Sequence, residues 1–323
     1  MSGPVVCVGE TMALLVPADP VPLESAPRLA LTAAGAESNV ACTLAGLGHG
    51  AAWLSAVGDD PFGRVVLRAV AGRGVDVSAV RTDPDRPTGL FAKDPAPQGS
   101  TVHYYRAGSA ASALGPEAAD DPLVRGAAGV HLSGITPALS PECDALAERL
   151  LTDPALVVSF DVNHRPRLWP PGRAAARLLE LARLADVVLV GRDEAEALWG
   201  TATAEEVRAL LPDVPRLVVK DAEHGATEFA EGRTHVPSPV VEVVEPVGAG
   251  DAFAAGYLAG GLRGLDAAGR LRLGHLCAAR VLRELGDLAP PPQAGEWDAA
   301  LHAPEERWVE LASARSVSGR VSE

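Results

Sequence analysis

Short apolar runs alternate with helical patterns along most of this chain, and that alternation limits the folds open to it. Val5–Gly9, Ala52–Val57, Gly129–Leu132, Leu156–Asp161, Ala185–Val190 and Leu217–Lys220 read as strands buried on both faces. Between them lie amphipathic or alanine-rich segments such as Ser38–Leu47, Phe62–Ala71, Glu142–Leu151 and Ala174–Leu181. The pattern predicts βαβ units: an α/β fold with a mainly parallel sheet and helices on both faces. With 323 residues the chain suffices for one large domain or two smaller ones, and no internal repeat divides it.

Two stretches interrupt the alternation. Met12–Leu31 and Thr88–Tyr105 carry strand-like pieces broken by proline or glycine, with no helical period. They suit a small β-structure projecting from the sheet as a lid, or else two irregular surface loops. Later, Ala289-Pro-Pro-Pro-Gln293 reads as the end of a long helix, and Ser313–Glu323 is small and polar enough for a disordered tail. The expected division is one domain over 1–303, with lid segments at about 12–31 and 88–106, and a partly disordered extension over 304–323.

The formal charge of −14 argues against nucleic acid or an anionic membrane as a standing partner. An acidic protein with anionic substrates must gather its arginines locally, so clustered arginines gain meaning. Cys7, Cys42, Cys143 and Cys277 are scattered without a C-x-x-C pair, which suggests buried free thiols in a reducing compartment. The histidines show no ligand spacing. No basic leader precedes the first apolar run, which Glu10 interrupts, and nothing approaches a membrane span. A cytoplasmic protein is expected.

From Val243 the sequence passes through a β-branched run, Glu245-Pro246, the small residues Val247-Gly-Ala-Gly250, and an alanine-rich helical pattern opened by Asp251. Gly248, Ala249 and Gly250 leave little side chain over successive backbone N–H groups where a helix dipole is positive, a natural place for phosphate. Asp251 at that spot is placed to take a proton from an attacking hydroxyl. The plainer reading is a strand–turn–helix with Asp251 as N-cap. No Gly-Lys-Ser/Thr is present, and position 253 is Phe where a dinucleotide fingerprint needs glycine.

With these residues in view, the chain resembles the ribokinase, or PfkB, family of carbohydrate kinases, from Gly9-Glu10 to about Asp287. Ala34-Gly-Ala-Glu-Ser-Asn-Val-Ala-Cys-Thr-Leu-Ala-Gly-Leu-Gly48 is similar to the family's first signature, and Val57-Gly-Asp-Asp-Pro-Phe-Gly63 to a further family run. The resemblance implies a ribokinase-like three-layer α/β/α domain with a β-lid over the sugar. It implies ATP and Mg²⁺ as cofactors, Gly248, Ala249 and Gly250 as an anion hole, and Asp251 as general base. It places Glu194 near Mg²⁺ through water. Asn163, Arg165, Gly191 and Lys220 are implied on the ATP side, with Gly225, Gly248, Gly250 and His275. Three positions depart from the pattern: Gly191 replaces an asparagine, Ala222 a glycine, and Glu245-Pro246 an Asp-Thr linked to monovalent-cation activation in relatives.

Tyr104-Tyr-Arg106 in the lid segment and Asp161-Val-Asn-His-Arg165 after a buried strand put two arginines toward one pocket. Arginine grips carboxylate through paired hydrogen bonds, so a sugar acid is favoured; the alternative for each arginine is a structural salt bridge. Within the family these segments resemble the kinases of 2-keto-3-deoxygluconate. By that resemblance Gly35, Ala36, Asn39, Phe91, Tyr104, Arg106, Arg165 and Asp287 line the sugar site, Phe91 standing where a tyrosine is common. The implied reaction is transfer of the γ-phosphoryl group of ATP to the C6 hydroxyl. Kinases of 5-dehydro-2-deoxygluconate, fructose or ribose, or a non-catalytic sensor, are the alternatives. Lid strands invite pairing with a second copy.

Overall fold

A valine-rich strand with no polar face is stable only when covered on both sides, and the computed structural model builds that cover. It describes residues 3–19, 21–96, 99–293 and 295–315. The large sheet takes β1 (Val5–Val8), β4 (Ala51–Gly58), β5 (Val80–Asp83), β8 (Gly129–Ser133), β9 (Val158–Asp161), β10 (Val187–Gly191) and β11 (Arg216–Asp221), with β12 (Gly225–Phe229) and β13 (Arg233–Val236). Its order is β13-β12-β11-β10-β9-β8-β1-β4-β5, parallel except for the β11-β12-β13 edge. Along β1 the side chains alternate: Val5 and Cys7 join the core on one face, Val6 and Val8 the core on the other.

Helices of eight or more residues are numbered here. The first face is covered by α1 (Ala36–Gly46), α2 (Pro61–Ala71), α6 (Ala249–Leu262), α7 (Ala267–Val281) and α8 (Glu305–Arg315); the second by α3 (Pro141–Thr152), α4 (Ala174–Ala182) and α5 (Arg192–Trp199). The result is the expected three-layer α/β/α arrangement. Local signals start the helices: Asp60 accepts from Gly63 N–H at α2, where Pro61 occupies the first turn, and Ser140 accepts from Cys143 N–H at α3. Helix α6 is rich in alanine and glycine, and α7 approaches its backbone; a Cβ on Gly256 would lie 2.5 Å from the Leu273 carbonyl oxygen.

The two interrupted stretches form a second sheet. β2 (Met12–Pro17), β3 (Leu29–Ala34), β6 (Leu90–Ala96) and β7 (Gly99–Tyr105) run in the order β3-β2-β6-β7, with β2 and β6 parallel and the hairpins antiparallel. Met12, Leu14, Ala34 and Phe91 form its own small core. Where the lid leaves the body the chains crowd, and a Cβ on Gly35 would sit 2.4 Å from the Glu10 carbonyl oxygen.

Three expectations need correction. The β-branched run from Val243 is not a strand: Val243 and Val244 are exposed and lie in irregular chain. The long helix ends at Val281, ahead of Pro290, so Asp287 lies in irregular chain. The packed body also runs past residue 303, because Trp308 on α8 is fully buried in the first core and its indole N–H donates to the Pro237 carbonyl. Residues 316–323, the rest of the expected tail, lie outside the described residues. All four cysteines are buried and unbridged.

Candidate active site

The carboxyl edge of a parallel sheet gathers the loops that follow its strands, and here the lid faces that edge across a cavity of about 1080 Å³. Its floor is the glycine turn. Gly248 has φ +86°, and a Cβ there would strike the Asp287 carbonyl oxygen at 2.3 Å, so only glycine fits. Helix α6 begins at the next residue. The N–H groups of Gly248, Gly250 and Asp251 have no acceptor among the described residues, whereas Ala249 N–H reaches the Pro246 carbonyl at 3.3 Å. Free donors at a helix start attract an anion.

Asp251 stands in that first turn with its side chain buried. Asn39, in the first turn of α1, donates from Nδ2 to Asp251 Oδ2 at 2.9 Å; Asn163 Nδ2 lies 3.5 Å from Oδ1, at the limit of a hydrogen bond. Burial pushes the Asp251 pKa up to about 7, opposed by the Asn39 hydrogen bond. Asn163 itself has φ +38° at the end of β9, and its Oδ1 is buried without a partner. A non-glycine residue held in that region reflects surroundings that over-determine it.

Beside Asp251 lies a charge cluster. Lys220, at the end of β11, puts Nζ 2.8 and 3.1 Å from the two Asp161 oxygens. Burial works to discharge the Lys220 ammonium, but Asp161 and Glu194 outweigh it and its pKa stands above the ordinary value. A Cβ on Gly250 would be 3.8 Å from Lys220 Nζ, so the ammonium faces the turn. Glu194 accepts from Gly191 N–H at 2.8 Å and His164 N–H at 3.1 Å; burial raises its pKa, with Lys220 opposing.

Gly35, Ala36, Asn39, Phe91, Tyr104, Arg106, Asn163, Arg165, Glu194, Lys220, Gly248, Gly250, Asp251 and Asp287 all line the one cavity. Phe91 and Tyr104 stack with centroids 5.6 Å apart. The two arginines differ. Arg165 is exposed, bonds to the His164 carbonyl at 3.2 Å and has no carboxylate partner among the described residues. Arg106, its side chain 10% exposed, is paired with the buried carboxylate of Glu10, the structural salt bridge that was the alternative for it.

Three expected nucleotide residues do not line this cavity. Gly225, at φ +127°, packs against the Val236 carbonyl in the β12–β13 hairpin. Gly191 caps α5 through its N–H to Glu194. His275 is buried between Phe253 and Trp308, its Nε2 3.1 Å from the Val236 carbonyl, and burial lowers its pKa to about 4. Other charged residues in or beside the site were given no role from sequence: Glu10, paired with Arg106, Lys93, lining the cavity, and Asp161, paired with Lys220. Each is a charged residue inside or beside an apolar run, and that placement was the available signal.

A cavity of about 1080 Å³ between a β-lid and the sheet edge, with an anion-ready helix start and a buried carboxylate on its floor, suits a small-molecule phosphotransferase. The chain belongs to the pfkB family of carbohydrate kinases, whose sequence profile it matches over residues 3–294. It is 35% identical to a 2-dehydro-3-deoxygluconokinase from Thermoproteus tenax over 92% of this chain and 94% of that protein. It is 34% identical to a 2-dehydro-3-deoxygalactonokinase from Haloferax volcanii over 90% and 94% of the two chains. The crystal structure of a PfkB protein from Polaromonas sp. JS666 superposes with a TM-score of 0.82 at 36% identity, covering 92% of this chain and 99% of that one. Among the described residues no helix is long and apolar enough to cross a membrane.

Proposed function

We propose that this carbohydrate kinase transfers the γ-phosphoryl group of ATP to the C6 hydroxyl of 2-keto-3-deoxygluconate, with Asp251 as general base. The observation that carries the reading is the buried Asp251 carboxylate beside the unpartnered N–H groups of Gly248 and Gly250. Asp251 accepts the hydroxyl proton while Asn39 holds its Oδ2 in place. The backbone donors and the Lys220 ammonium face negative charge on the transferring group. The lid excludes water that would otherwise take the phosphoryl group. Glu194 fits a Mg²⁺ role at one remove: both its oxygens accept backbone N–H groups, which suits a hold through water. When bound, that ion supplies charge neutralisation to the phosphates.

Arg165, a cavity cation with no carboxylate partner among the described residues, supports an acidic sugar. The Haloferax relative favours a second reading, the galactonate-derived epimer. The exposed Leu29 and Leu31 on β3, the lid's outer strand, support pairing of two copies through the lid. Four buried free thiols support a cytoplasmic setting. The deciding experiment is a coupled assay with ATP and Mg²⁺ over both keto-deoxy sugar acids, 5-dehydro-2-deoxygluconate, fructose and ribose. The reading expects kcat/KM for a keto-deoxy acid to exceed that for either neutral sugar by about tenfold or more. Equal or better turnover of fructose or ribose overturns it.

A further inference from the structure

Lys93 is an unusual residue for a strand that packs on its neighbours: its side chain is only 6% exposed, on β6 of the lid. Its Nζ lies 2.9 Å from Oδ1 of Asp287, whose side chain is 8% exposed. The bond joins the lid to the kinase body across 194 residues of sequence, and both partners line the cavity. A buried charge is tolerated when it is paired, and either member alone is strongly disfavoured. Arg106, a second lid cation, is committed to Glu10 and cannot substitute. Asp287 also touches the catalytic floor, because its carbonyl oxygen occupies the space a Cβ on Gly248 would fill. Oδ2 of Asp287 accepts no hydrogen bond among the described residues.

We propose that Lys93 is a positioning residue that holds the Asp287 carboxylate through Oδ1, leaving Oδ2 to receive a sugar hydroxyl only while the lid lies against the body. The inference rests on the sugar-kinase reading above, in which Asp287 meets the sugar. Sugar affinity is then coupled to lid position through one ion pair. Lys93 acts through Asp287 and makes no contact of its own with substrate.

The test uses the full chain with Lys93→Met, Lys93→Arg, Asp287→Asn and the Lys93→Met/Asp287→Asn double variant. Sugar KM, kcat and ATP KM are measured, with hydrogen exchange of the Leu90–Ala96 amides in the absence of sugar. Lys93→Met is expected to raise sugar KM by about ten- to hundredfold, with a much smaller change in kcat and none in ATP KM. Lys93→Arg should recover most of that loss, and the double variant should be no worse than Asp287→Asn. Exchange in β6 should speed up in Lys93→Met while β10 amides stay protected, which separates lid release from unfolding. Multiplied losses in the double variant, or unchanged β6 exchange in Lys93→Met, overturn the proposal. If no sugar acid is turned over by the wild type but β6 exchange responds, the substrate reading fails and the latch stands.

Discussion

At Asp251 two influences oppose each other. The helix start and the Asn39 amide favour its charged form, and burial disfavours it; burial prevails, and the pKa rises from 3.8 to about 7. Asp251→Asn is therefore expected to lower kcat by about 10²–10⁴-fold while sparing ATP binding, read by steady-state kinetics and nucleotide titration. Turnover within about threefold of wild type removes Asp251 from the base role. The same shift has a stability consequence. Between pH 4 and 7 the folded protein holds a proton on Asp251 that the unfolded chain has released, so this contribution falls as pH rises through that window. The stability of Asp251→Asn relative to wild type, read from urea midpoints, should climb from pH 4 to 7 and level off above, with a limit on the order of 4 kcal/mol. A second expectation concerns Asn39, whose donor lowers that pKa. Asn39→Ala should move the acid limb of kcat/KM, near pH 7 in wild type, toward higher pH. An unmoved limb means another group controls it.

Helix α6 carries the turn at one end and packs on α7 along its length, so its glycines divide by what surrounds them. A Cβ on Gly256 would meet the Leu273 carbonyl oxygen at 2.5 Å, whereas one on Gly261 finds nothing nearer than the Arg216 side chain at 3.8 Å. Gly256→Ala is expected to destabilise by about 1–3 kcal/mol through forced separation of the helices. Gly261→Ala should be neutral or stabilising by up to about 1 kcal/mol through helix propensity. Urea midpoints of the two variants check this, and equal effects would mean that the close approach does not govern stability. Elements with strong burial were legible: Val187–Gly191 and Arg216–Asp221 match their apolar runs to within two residues. The lid was legible by contrast, since Met12–Leu31 and Thr88–Tyr105 lacked the surrounding rhythm. Val243-Val244 misled because β-branching marks a strand only where another strand runs alongside.

For the whole molecule, the clearest miss is α8. Its sequence, Glu305-Glu-Arg-Trp-Val-Glu-Leu, is charged around a single tryptophan, and no local pattern says that Trp308 enters a core built mainly from residues before 282. Trp308→Ala is expected to cost about 3–5 kcal/mol, and removal of residues 304–323 at least as much, measured by chemical denaturation. A loss under 1 kcal/mol from either would restore the extension to a dispensable role. The site was legible where motif residues cluster, as at Gly248–Asp251. It was not legible where pairing crosses the fold: Glu10 with Arg106 and Lys93 with Asp287 meet only after the lid has formed. The order of the large sheet has a consequence for biogenesis. β1 lies between β4 and β8, so during synthesis its second edge stays open until residues 129–133 have left the ribosome. That edge, Val5-Val-Cys-Val8, carries no charge to discourage a foreign strand. Recovery of the protein from cells will therefore follow chaperone supply and translation speed more closely than the stability of the finished fold.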